Sequence, residues 1–582
     1  MKNITKKTNI VAKHILQELL KPKVLYLFLF IFVLITLAYH SLSGKNILYG
    51  DGKEYILQTQ SMIFDHSIKI DTTARKEYWN MTNPYGIRLW QTQPLVSITL
   101  TEQSQARGGF GGLYPDKFGN YRYYHYWLYS AIVSPIYYIF HIIDSTGRLE
   151  YLSFSIANFL LLLFAFWYAF KMNPRLPSII TLFLLLFTPI VAFVNLQHPE
   201  IFCFSLIFLA FSLLTNKKFK FLSPIFLGLA ASMNAPIILF FPALFIIDLK
   251  NVDSCKLKKV YKLLLGYTIG LIIAISPLIY YMYYFNTPNV IAHIGLASID
   301  NASISRVIDI FLNPFIGAVF FFPMLFFLLP ECIKKENWLI FCLLSTSVIA
   351  ATWLATSTAN FNSSQIGTVN YILWLLAPLW YFLFKNMPQS FAIKPRGYIA
   401  AACLILSIIL IMYFKTYKLL HSDITTFLGT QRAQPEIAKL FRISNYFGDP
   451  ELLAENILTK ELRSPSDFND VYVWDLGHDS YIWIFPESTI QKSLPLIFTS
   501  KEPENVKFNA SPKQTLNFDI KDNLITLNLY NNAVKMHKHP VFGNYLIIKS
   551  KGNVSTISEN QSFITIRTRS NNIKNVKKFY QY

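Results

Sequence analysis

Between residues 24 and 414 apolar stretches follow one another almost without pause. This feature limits the chain to folds whose main solvent is lipid. Of 582 residues, 53% are hydrophobic and only 15% are charged, where soluble domains carry roughly 25% charge. Much of that charge sits in short loops and in the last part of the chain. The reading is a polytopic α-helical membrane protein, with residues 1–414 in the membrane region and a soluble region at 415–582.

The net charge of +20 does not point to nucleic acid. Lys and Arg lie mainly in loops between apolar spans, as topology bias produces, and no zinc-finger, RNA-binding or helix-turn-helix pattern occurs. No nucleic-acid partner is expected. The N-terminus is basic (Lys2, Lys6, Lys7, Lys13, Lys21, Lys23) and then apolar over 24–40. No small-x-small cleavage site precedes 41–45, which predicts an uncleaved first helix with a cytoplasmic N-terminus. The five cysteines, Cys203, Cys255, Cys332, Cys342 and Cys403, avoid both the segment 41–143 and the tail. Both regions can therefore be extracytoplasmic without disulfides.

Loop charge sets the topology. The loops 171–175, 217–220, 250–262, 334–335 and 385–396 are basic, whereas 195–199, 286–313 and 356–368 carry almost no Lys or Arg. Strict alternation of all candidate spans would put two basic loops outside. Two changes restore the bias. Residues 126–143 lie at the outer interface as a non-crossing helix. Residues 221–247 cross twice, hinged near Met233-Asn234-Ala235-Pro236, with one long tilted helix as the alternative. The outcome is about eleven transmembrane helices with basic loops inside. One outer face then holds 41–143, the turn 195–200, Asn234, the loops 286–313 and 356–368, and the tail. From Val471 the tail reads as strands (471–474, 481–485, 524–529, 545–548, 563–566) after a helical stretch at 415–462. A C-terminal extracytoplasmic α+β or β-rich domain is expected.

Asp51 stands just beyond the first span between Gly50 and Gly52. A partly desolvated carboxylate there suits a general base or metal ligand; an ordinary Asp-Gly turn is the plain alternative. The following Glu54 to Phe64 reads as an amphipathic helix on the membrane, ended by Asp65-His66. Glu200, in Gln197-His198-Pro199-Glu200, opens a later span. It is either functional or simply an acid favoured by the helix dipole. Asp51, His198 and Glu200 share the outer face, and such a set can hold a divalent cation, Mg or Mn. The Gly-rich run 106–112 reads as a flexible loop tip over the site. Arg107 and Arg122 suit a lipid phosphate or are surface-solvated. His125, within the aromatic run 121–127, is a substrate contact or an interface histidine. Lys53, Glu54, His293, Arg306, Asn362 and Asn234, the last at a helix break, complete the candidate substrate-binding set. Arg306 is the sole cation of its loop.

These residues also carry a resemblance. Gly50-Asp51-Gly52-Lys53-Glu54-Tyr55, then Gln58-Thr59-Gln60-Ser61 and Phe64-Asp65-His66, resemble the first-loop signature of GT-C-fold glycosyltransferases. That group includes the protein O-mannosyltransferases and the aminoarabinose transferases of lipid A. The similarity continues through Gly112-Leu113-Tyr114, Tyr124-His125-Tyr126, His198-Pro199-Glu200, Gly228 to Asn234-Ala235-Pro236, and Asn370-Tyr371, over roughly residues 24–385. It implies a GT-C-like fold and a polyprenyl-phosphate sugar donor, with a glycan, lipid or protein as acceptor. Asp51 takes the place of the first-loop catalytic acid. Glu200 takes that of the second-loop acid, where the family commonly has Asp. Asn370 stands where other relatives have Arg. The implied setting is a bacterial cytoplasmic (inner) membrane. Two rivals remain open: a transporter or flippase, and a non-catalytic component of envelope polysaccharide assembly.

Overall fold

The structure, a computed structural model, describes residues 52–70, 113–143, 152–172, 188–194, 196–216, 218–250, 257–293, 297–299, 302–312, 317–358 and 370–387. Beyond these it describes 471–477, 480–486, 496–499, 502–511, 514–516, 518–521, 524–527, 537–539, 543–551, 555–557 and 566–569. The first span, the helical stretch expected at 415–462, and Asp51, Arg107 and Asn362 lie outside the described residues.

The described part of residues 52–387 is almost entirely helical, the β-hairpin of 113–123 being the main exception. Helix α1 (Gly52–Phe64) carries Glu54 in its first turn, where a negative charge meets the helix dipole. It stops at His66, whose backbone is left-handed (φ 48°), with the amides of Asp65 and Ser67 both donating to the Ser61 carbonyl. Expected on the membrane surface, α1 is instead packed inside the protein. Gln58, Thr59 and Ser61 are buried alongside Tyr55, Ile56 and Leu57. The polar residues survive burial because each finds a partner. Ser130 Oγ donates to Gln58 Oε1 at 2.9 Å and Thr59 Oγ1 to the Tyr55 carbonyl at 2.7 Å.

The hairpin β1 (Leu113–Pro115) and β2 (Tyr121–Tyr123) leads into α2 (Leu128–Ile143). Helix α2 buries Tyr129, Val133 and Tyr137 against α1 and α3 (Leu152–Met172) and exposes Ile132, Ile139, Ile142 and Ile143. Buried and exposed side chains thus divide α2 into two faces. A short α4 (Pro189–Val194) precedes α5 (Glu200–Leu213). All of α5 is buried, enclosed by α3, α6 (Ser223–Met233) and α14 (Ile372–Asn386). A helix apolar on every face can be satisfied only by neighbours on every face.

Residues 220–249 form a hairpin. A 3-10 turn (Lys220–Leu222) leads into α6, the chain breaks at Asn234 in extended conformation (φ −137°, ψ 103°), and a 3-10 helix (Ala235–Phe240) continues into α7 (Phe241–Leu249). Its two ends meet where Lys220 pairs with the Asp248 carboxylate and donates to the Asp248 carbonyl at 3.1 Å. One long tilted helix is therefore excluded. Helix α8 (Leu257–Phe285) crosses α6 at glycines: a Cβ on Gly228 would strike the Gly270 carbonyl, and one on Gly270 would strike that of Pro224. Gly266 and Gly270 thus let two backbones approach as small-residue spacing does in membrane helices.

Next come α9 (Val290–His293), α10 (Ile304–Leu312), α11 (Ala318–Phe321), α12 (Pro323–Cys332), α13 (Trp338–Ala355) and α14. Two helical stretches, Val260–Phe285 and Trp338–Ala355, are long and apolar enough to cross a bilayer. They also expose large apolar side chains, among them Leu264, Ile272, Ile279, Leu339 and Ile349.

The C-terminal region is β-rich among its described residues. Its larger sheet runs β13 (Ile566–Arg569), β3 (Val471–Gly477), β4 (Ser480–Pro486), β11 (Gly543–Lys551), β6 (Lys507–Ser511), β7 (Gln514–Thr515), with β10 (His537–His539) also on β11. A smaller sheet orders β12 (Ser555–Ile557), β5 (Leu496–Thr499), β9 (Leu524–Leu527), β8 (Phe518–Lys521). Trp483, Ile484 and Phe485 are all buried, so both faces of β4 are covered. Phe508 and Phe518 join the two sheets edge to face at 5.4 Å.

Candidate functional site

Three pieces of chain meet at one place: the first turn of α1, the residues after β2, and the turn 196–200. Each is held from behind. The Tyr55 carbonyl shares the one Ser130 hydroxyl proton, at 3.1 Å, with Gln58 Oε1, and the His125 carbonyl accepts from Gln58 Nε2 at 3.4 Å. The turn is fixed by Asn158, which donates to the Leu196 carbonyl at 3.0 Å and accepts from the Tyr129 hydroxyl at 2.9 Å. Gly52 lies so close that a Cβ there would stand 3.1 Å from Gln197 Cβ. A side chain on the residue that follows Asp51 would thus press on Gln197, which would have to give by a few tenths of an ångström.

Two carboxylate–imidazole pairs result. Glu54 Oε2 lies 3.5 Å from His125 Nε2, and Glu200 Oε2 lies 3.7 Å from His198 Nδ1. Tyr55 separates them: its ring stacks on His125 at 5.2 Å and meets His198 edge-on at 6.2 Å. Both glutamates are buried. Burying a lone carboxylate costs several kcal/mol, which an adjacent imidazole offsets when protonated. Tyr114 flanks the first pair; burial, and then the Glu54 charge, push its hydroxyl up to about 12. Asn234 reaches the same end of α5, donating to Cys203 Sγ at 3.4 Å, one helical turn from Glu200.

Of the expected site residues, then, Glu54, His125, His198, Glu200 and Asn234 come together. Lys53 lies in the first turn of α1. Arg122 is no solvated cation. It is 3% exposed, its Nε binds Asp116 Oδ2 at 2.7 Å, and its guanidinium lies 3.7 Å from the Tyr284 ring centre. It clamps the β1–β2 hairpin to the end of α8, assisted by the Tyr281 hydroxyl, which donates to the Tyr124 carbonyl at 2.6 Å. Arg306 is buried too, its Nη1 donating to the carbonyls of Thr356 at 3.1 Å and Thr358 at 3.4 Å. It ties α10 to the chain after α13. His293 stands exposed at the end of α9.

Among the described residues, no three His, Cys, Asp or Glu gather closely enough to hold a metal ion. The expected set of Asp51, His198 and Glu200 has one member outside the described residues. Sequence reasoning missed the pairing of Glu54 with His125, the burial of Asp116, and Gln197, whose Oε1 is buried without a hydrogen-bond partner. Only Gln197 left a signal, by its place in the Gln-His-Pro-Glu turn. Comparison with protein-family models, with curated proteins and with solved structures finds no match to this chain.

Proposed function

We propose that the protein is an integral membrane glycosyltransferase of GT-C type. It moves a sugar from a polyprenyl-phosphate donor to a glycan, lipid or protein acceptor outside the cytoplasm. The observation that carries this reading is the contact of Gly52 with Gln197. It brings the segment after the first apolar stretch against the turn that bears Glu200, as a two-acid site fed from the bilayer requires. The exposed apolar faces of α8 and α13 offer the lipid-facing surface that an isoprenoid chain needs.

In this mechanism Asp51 takes the proton of the acceptor hydroxyl as its oxygen attacks the anomeric carbon. The bond from that carbon to the phosphate oxygen breaks, and polyprenyl phosphate leaves with the electron pair. A single displacement inverts the anomeric centre. Glu200 supplies the second acidic group, oriented by His198. A divalent cation, Mg or Mn, held by Asp51, His198 and Glu200 would neutralise charge on the leaving phosphate. The proposal includes about eleven crossings, a cytoplasmic N-terminus, an extracytoplasmic domain at 415–582, and a bacterial inner membrane.

The test uses full-length protein in nanodiscs with radiolabelled sugar on undecaprenyl phosphate and an envelope extract as acceptor. Label should move to the extract, and Asp51→Asn should abolish the transfer while the protein stays folded. Full transfer by folded Asp51→Asn would defeat the mechanism. Flux of labelled carrier across vesicles without transfer would favour the flippase instead.

A further inference from the structure

Gln197 is 4% exposed, yet its Oε1 accepts no hydrogen bond. A buried amide oxygen without a donor costs stability, and native folds keep such groups rare. This one sits in the turn between Gly52 and Glu200, 3.3 Å from where a Cβ at position 52 would stand. Asn158 holds the backbone beside it, donating to the neighbouring Leu196 carbonyl at 3.0 Å. A polar group fixed in place, shielded and left over inside a site awaits a donor from outside the chain.

We infer that the Gln197 side-chain carbonyl accepts a hydrogen bond from a sugar-ring hydroxyl of the bound substrate, which makes Gln197 a specificity-determining residue. This rests on the glycosyltransferase reading. The chemistry favours a hydroxyl. A phosphate oxygen has no proton to give and would meet the carbonyl lone pairs and the nearby Glu200 charge. A cation would be drawn to the Glu54 and Glu200 carboxylates before a neutral amide. A site that bonds a hydroxyl also rejects ligands without one, since the amide is then left buried and alone.

The experiment measures binding of full-length protein in nanodiscs to undecaprenyl phosphate and to the same carrier bearing glucose, mannose or arabinose. Wild type should bind at least one sugar-bearing carrier more tightly than the bare one. Gln197→Met, which removes the acceptor at similar volume, should weaken that binding about tenfold and leave bare undecaprenyl phosphate unchanged. If Gln197→Met does not fold, Gln197→Asn withdraws the carbonyl and should show the same selective loss. If a folded Met or Asn variant keeps wild-type preference for the sugar, the inference is overturned while the function stands. If wild type binds none of the four carriers, the polyprenyl-phosphate reading fails, and this inference with it. If wild type binds the sugar-bearing carriers no more tightly than the bare one, the inference is overturned as well.

Discussion

At the scale of single residues, Asp116 and Arg122 show how much a buried pair can hold. Asp116 Oδ1 accepts from the amides of Phe118 at 2.9 Å and Asn120 at 2.8 Å, while Oδ2 takes the Arg122 guanidinium. Burial alone would raise the Asp116 carboxyl. The Arg122 hydrogen bond, the two amides and the Arg122 charge outweigh it and hold the carboxyl below its ordinary value. A carboxyl depressed on folding stabilises the fold above its unfolded value near pH 4. That contribution disappears as pH falls through the folded value. Asp116→Asn strands a buried guanidinium and should cost about 3–5 kcal/mol at neutral pH. Thermal melts across acid pH should show a smaller acid loss for the variant than for wild type; parallel curves would mean that the pair does not carry it. Glu200→Gln belongs to the same scale. It keeps the shape, removes the charge beside His198, and should lower transfer by about 100-fold or more.

Among the elements, the α6–α8 crossing is the most demanding. At Gly228 and Gly270 any side chain would meet backbone of the other helix, and at Gly266 it would meet the Phe221 carbonyl in the 3-10 turn that leads into α6. Gly270→Leu should force the helices apart and lower the melting temperature in detergent by several degrees, about 2 kcal/mol or more. An unchanged melt would show that the helices are not in contact there. The α6–α7 hairpin depends on its clasp. Asp248 is fully buried and Lys220 faces it. Lys220→Met leaves that carboxylate without its cation and should destabilise by about 3–5 kcal/mol. The double variant Lys220→Met with Asp248→Leu should recover most of the loss, and failure to recover would assign the hairpin to packing alone.

At the scale of the whole molecule, the clasp and the candidate site mark opposite ends of the α6–α7 hairpin, since Asn234 reaches Cys203 near Glu200 while Lys220 and Asp248 close the other end. In the proposed orientation the first end faces outward. With all five native cysteines replaced, Lys117→Cys should react with a membrane-impermeant maleimide on intact cells, and Lys218→Cys only after permeabilisation. Labelling of both from one side would end the membrane topology proposed here.

Local chemistry along the chain determined a good deal: the run of apolar helices, the break at Asn234, the end of α1 at His66, and strands at Val471, Tyr481, Leu524 and Tyr545. Those follow from hydropathy, periodicity and turn residues, which act over a few neighbours. Only the tertiary structure decided that Glu54 faces His125, that Arg122 and Arg306 are committed to Asp116 and to loop carbonyls, and that α1 lies inside the protein. A charge on a loop reads the same whether it meets water, a phosphate or a partner far along the chain, and packing alone chooses among them. Burial made that choice: where the chain closes over a charged group, the group must take whichever partner stands within reach.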